Sequence, residues 1–74
     1  MVMELDLRGL YCPMPVFRTR EEIMKVPIGS TISVIADDPA AAEDIPRWAK
    51  RSGNEVLDVK KDGEEVRILI RRLK

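Results

Sequence analysis

Histidine is absent from these 74 residues, and cysteine occurs once, at Cys12. Without histidine, Cys–His nucleophilic catalysis and His-based metal sites are excluded, and no metal ligation is expected. A lone cysteine forms no internal disulfide, and without a Cys-x-x-Cys pair a thioredoxin-like exchange cycle has no second thiol. Net charge is missing as well, because thirteen Lys and Arg balance thirteen Asp and Glu. That balance leaves no electrostatic footprint for nucleic acid and no polybasic membrane anchor. No apolar run approaches a membrane span. No glycine-rich phosphate loop occurs, and no cofactor is expected. The opening segment, Met1 to Asp6, already carries charge and turns into a strand, unlike a signal peptide. A reduced, cytoplasmic setting is therefore expected, and it keeps Cys12 as a free thiol.

What is present is a globular composition, 45% apolar and 35% charged, of a size for one small domain spanning residues 1–74. Met3, Leu5 and Leu7 alternate with Glu4, Asp6 and Arg8, which predicts a first strand with one buried face. A helix is predicted from about Pro13 to Lys25, with Val16, Ile23 and Met24 facing the core and Phe17 or Thr19 at the edge. The β-branched run Thr31 to Ala36 predicts a second strand that buries Ile32, Val34 and Ala36. Asp37-Asp38-Pro39 reads as the start of a second helix, with Asp38 as its cap. Pro46 removes a helical donor, so a short turn and a restart capped by Asp44 are expected. Gly53 then stops that helix.

Asp62-Gly63 predicts a two-residue hairpin turn. Folding about it pairs Val59 with Val66 and Leu57 with Ile68. On the other face Lys60 meets Glu65 and Asp58 meets Arg67, with Lys61 and Glu64 beside the turn. The order β-α-β-α-β-β implies an α/β fold, a two-layer sandwich with a mixed four-stranded sheet and both helices on one face. The right-handed crossover makes the first two strands parallel, and the hairpin makes the last two antiparallel. Glu4, Asp6, Arg8, Thr31, Ser33, Asp58, Lys60, Arg67 and Arg71 fall on the open face, as a soluble surface of alternating charge.

Cys12 stands in Cys12-Pro13-Met14-Pro15 at the mouth of the first helix. Pro13 and Pro15 pre-set the first turn and hold the thiol in one orientation. There the sulfur is expected to face free N–H groups and the positive end of the helix dipole, which favours the reactive thiolate. A buried apolar cysteine is the plainer alternative. Arg8 is a candidate support for a sulfur anion, and equally a surface charge at a strand end. Arg18 and Arg20 are solvated helix residues or a docking face for an acidic partner.

The blocks Leu5-Asp6-Leu7-Arg8-Gly9-Leu10-Tyr11-Cys12-Pro13-Met14-Pro15, Ala36-Asp37-Asp38-Pro39 and Asp44-Ile45-Pro46 together resemble the TusA/SirA-like sulfur-carrier family. The resemblance spans essentially the whole chain and implies the same two-layer sandwich. It further implies a sulfurtransferase in which Cys12 carries sulfur as a persulfide. Sulfur then arrives from a cysteine desulfurase or rhodanese-type donor protein and passes to a downstream acceptor protein, in tRNA thiolation, molybdenum-cofactor biosynthesis or another sulfur relay. The chain is expected to work as a monomer, without direct contact to nucleic acid or membrane. Two other readings stay open. One is a regulatory interaction module linked to nucleic acid through Arg67 and the basic end Arg71-Arg72-Leu73-Lys74; the other is a thiol redox sensor.

Overall fold

Alternation and β-branching build the sheet, and the 3.6-residue period builds two helices that cover one side of it. In the computed structural model, which describes residues 2–74, the order is β1 (Val2–Asp6), α1 (Met14–Ile23), β2 (Thr31–Ala36), α2 (Ala41–Arg51), β3 (Glu55–Asp62) and β4 (Glu65–Arg71). Met1, the first residue of the expected domain and of its charged opening segment, lies outside the described residues. The sheet order is β1-β2-β4-β3, with β1 parallel to β2 and the other neighbours antiparallel. This is the mixed, two-layer α/β arrangement that the element order implies. Among the described residues no helix is long and apolar enough to cross a membrane.

The core lies between the helices and the central strands. Ile32, Val34 and Ala36 of β2 and Val66, Ile68 and Ile70 of β4 are buried, as their alternation requires. Burying one such aliphatic side chain stabilises the fold by about 1.5–3 kcal/mol, so this double row is the main source of cohesion. Helix α1 presents Pro15, Thr19 and Ile23 to it, four residues apart. Thr19 is fully buried because its hydroxyl donates to the Pro15 carbonyl at 2.8 Å, which satisfies its polar atom locally. The expected face is corrected here: Met24 is 63% exposed and Phe17 47% exposed. The helix ends at Ile23 and closes through Lys25 and Val26 amides donating to Glu22 and Ile23 carbonyls, which turns Met24 outward and seats Val26 in the core.

Helix α2 is also corrected. It runs unbroken through Pro46 with no restart at Asp44, and the residue capping it is Ala40. One missing donor does not end the helix, because Ile45 and Ala49 on either side of Pro46 are fully buried and hold the backbone by packing. Gly53, at φ +85°, supplies the left-handed stop, with the Asn54 amide donating to the Ala49 carbonyl at 2.8 Å.

The hairpin exists, but its register differs from the expected one by two residues. Asp62 pairs with Glu65, Val59 with Ile68, and Lys60 with Arg67, so the expected Lys60–Glu65 and Asp58–Arg67 cross-strand pairs are not formed. The turn residues are Gly63 and Glu64. Gly63 has φ +62° and, among the described residues, no non-glycine residue has positive φ, which puts glycine at the first central position as a type II′ turn requires. An irregularity between Val56 and Asp58 then brings Val56 opposite Ile70 and Glu55 opposite Arg71. Leu57 is the extra residue and is 40% exposed.

Candidate functional site

Parallel pairing of β1 with β2 brings the loops that follow them side by side, each leading to the start of a helix. The first loop carries Cys12 and the second carries Asp37 and Asp38. Two carboxylate contacts join them, and a third lies within the second loop. Asp37 Oδ1 accepts the Gly9 N–H at 2.9 Å, and Asp38 Oδ2 accepts the Cys12 N–H at 2.7 Å. Asp38 Oδ1 accepts the Ala40 N–H at 3.2 Å. Asp38 therefore assists the start of α2 and fixes the backbone of the cysteine at once; its residue is buried, at 8% exposure. Across the Cys12–Pro13 peptide, which is cis, the Met14 amide donates to the Tyr11 carbonyl at 2.9 Å. Pro13 caps α1, and Pro15 packs into the core.

Cys12 itself is exposed, so the buried-hydrophobe alternative is excluded. Its sulfur does not behave as its place at the helix mouth suggests. Sγ donates to Asp44 Oδ2 of α2 at 3.6 Å. The thiol pKa is pushed up from its ordinary value, first by partial desolvation of the sulfur, then by the hydrogen bond and charge of Asp44, and last by Asp38. The expectation of a thiolate-favouring site meets the opposite direction here, because desolvation and the two carboxylates both favour the protonated thiol.

Arg8 is engaged elsewhere. Its guanidinium forks onto Asp6, with Nη2–Oδ2 at 2.8 Å and Nε–Oδ1 at 3.0 Å, and reaches Glu65 at 3.5 Å. Among the described residues no hydrogen bond or ion pair joins it to Cys12. Arg18 lies one turn into α1 and pairs with Glu22 at 3.9 Å. Arg20 sits further along, in a shallow basic hollow with Trp48, Arg72 and Lys74. The basic C-terminal end is drawn into the fold, since Arg71 pairs with Glu55 at 3.5 Å and Arg72 donates to the Val26 and Lys74 carbonyls, both at 2.7 Å. Around the cysteine the surface is apolar instead, with Tyr11, Met14 and Phe17 all exposed.

Sequence reasoning missed what Asp37, Asp38 and Asp44 do at the site, having placed them as helix caps. A signal was available. Two adjacent carboxylates at the end of one parallel strand must lie beside the loop that leaves its neighbour, and that loop has unpaired amides.

The family model described as "Sulfurtransferase TusA" matches residues 3–72. The sulfur carrier protein TusA of Allochromatium vinosum is 36% identical over 93% of this chain and 91% of its own length. A curated relative from Archaeoglobus fulgidus is 37% identical over 95% of this chain and 96% of its own. The crystal structure of the SirA-like protein of Desulfitobacterium hafniense superposes at a TM-score of 0.82, with 100% of both chains covered and 21% identity, a likeness of fold.

Two measurements check this geometry. Asp38→Ala removes the acceptor of the Cys12 and Ala40 amides and is expected to cost about 1–2 kcal/mol in urea denaturation. Amide exchange at Cys12 should quicken with it. The Arg8 fork holds the Asp6 carboxyl down at about 2. Its contribution to stability is present above the ordinary carboxylate value and fades as pH falls through about 2. In an NMR titration Asp6 should therefore ionise below the usual carboxylate range, and Arg8→Ala should return it there.

Proposed function

This chain belongs to the TusA sulfurtransferase family, and we propose that it carries sulfane sulfur as a persulfide on Cys12, between a donor protein and an acceptor protein. The observation that supports this most is the presentation of the thiol. The only cysteine of the chain is exposed on a loop whose backbone is fixed by Asp37 and Asp38. A carrier needs that combination, because its sulfur must enter two different partner sites without the loop rearranging.

The transfer balances without any cofactor. Cys12 loses its proton, and its thiolate attacks the outer sulfur of a donor persulfide. The new S–S bond gives Cys12–S–SH and expels the donor's own thiolate. At the acceptor, a nucleophile takes the outer sulfur and returns Cys12 as thiolate. The donor in this reading is a cysteine desulfurase or a rhodanese-type protein. The acceptor belongs to tRNA thiolation, molybdenum-cofactor assembly or a related relay, within a reducing cytoplasm. Residues 1–74 act as one domain and as a monomer.

Docking follows from the surface around the sulfur. Tyr11, Met14 and Phe17 offer an apolar contact, and Arg18, four residues along α1 from Met14, offers charge to an acidic partner face. Arg20, on a different side of α1 from Arg18, offers a separate basic spot with Arg72 and Lys74. Pro13 and Pro15 support the site by fixing the first turn of α1. Arg8 supports the site by anchoring the end of β1 through Asp6.

Incubation with a cysteine desulfurase and free cysteine, followed by intact-mass measurement, tests the reading. Wild type should gain one sulfur atom that reductant removes, and Cys12→Ser should gain none. A sulfur gained equally by both proteins, or by neither with desulfurase and rhodanese-type donors alike, would sink it.

A further inference from the structure

Two carboxylates lie against Cys12, and they are not equivalent. Both oxygens of Asp38 are occupied by backbone amides, Oδ2 by Cys12 and Oδ1 by Ala40. Asp44 makes no such backbone contact through Oδ2, which instead takes the thiol's hydrogen bond at 3.6 Å. Its other oxygen lies 3.8 Å from Arg47 Nη1, and the side chain is 32% exposed, so this carboxylate is open to solvent and to cations.

We propose that Asp44 is the positioning residue that sets the reactivity of Cys12, holding the thiol proton in the resting carrier until its own charge is neutralised. The inference rests on the carrier reading and supplies its missing control. A carrier thiol that ionised freely would react with any oxidant or disulfide it met in transit. Restraint by a solvent-accessible carboxylate is reversible. A cation brought against Asp44 weakens the hold, the proton leaves to solvent, and the thiolate is free to attack. The charged groups around the sulfur are Asp38 from the β2–α2 loop, Asp44 from α2, and Arg47 acting through Asp44. The first turn of α1 holds no acidic residue. The upward push on the thiol by Asp44 agrees with this arrangement.

The test is the rate of alkylation by iodoacetamide, a neutral reagent, measured against pH for wild type and Asp44→Asn, with circular dichroism as the check on folding. Asp44→Asn should react roughly fivefold faster at neutral pH, the factor for one unit charge about 4 Å away in water. Its profile should also shift to lower pH. Added salt should speed the wild type and narrow the gap between the two. A folded Asp44→Asn with an unchanged or slower profile would overturn the proposal. If that variant fails to fold, a wild-type rate indifferent to salt would overturn it just as well. The readout is thiol alkylation and not sulfur transfer, so this proposal and the carrier reading can fail independently.

Discussion

One carboxylate, that of Asp38, ties the site to the fold. Parallel strands leave unpaired backbone donors where each chain turns away from the sheet, and those donors need acceptors. Asp38 meets two such needs together, taking the Cys12 amide at 2.7 Å and the Ala40 amide at 3.2 Å. With Asp37 on Gly9 at 2.9 Å, it fastens the cysteine loop to the neighbouring strand's loop. The geometry of the cysteine loop follows from that fastening. Cys12 is held at the surface, Pro13 starts α1, and Pro15 and Thr19 lock the helix into the core. In 74 residues with no disulfide, carboxylate-to-amide bonds do the local work that a covalent staple does in other small domains.

Fixing the loop with acids has an electrical consequence. Asp38, which positions the backbone, also acts on the sulfur, whose pKa is raised first by desolvation, then by Asp44 and last by Asp38. A thiol at a helix mouth is usually discussed as activated. Here desolvation and the nearby carboxylates push the thiol the other way. The protein displays the sulfur at its surface. That display suits a small carrier, with exposed apolar side chains beside the cysteine.

Much of this was legible in the sequence. The alternation of Met3, Leu5 and Leu7, the β-branched run of β2, and the Cys-Pro-x-Pro helix start carry the architecture and the place of the exposed cysteine directly. The departures turn on geometry that residue types alone do not give. A two-residue slip of the hairpin keeps every side chain on its original face, so Val59 meets Ile68 as comfortably as Val66. The positive φ of Gly63 fits the register that forms. Pro46 looked like a break because local rules count its missing donor, whereas burial of Ile45 and Ala49 carries the helix past it. Arg8 looked free to serve the sulfur, yet Asp6, two residues away, holds it. Asp44 contacts Cys12 from 32 residues along the chain, a separation that no local pattern spans.

The central claim is that Cys12 holds sulfur in transit and gives it up. Loading the protein with radiolabelled sulfur from a cysteine desulfurase, separating it from the enzyme and then adding an acceptor thiol tests this most directly. The account predicts that label stays with the isolated protein and moves to the added thiol as sulfane sulfur. Label that never binds, or that binds and cannot be passed on, would contradict it.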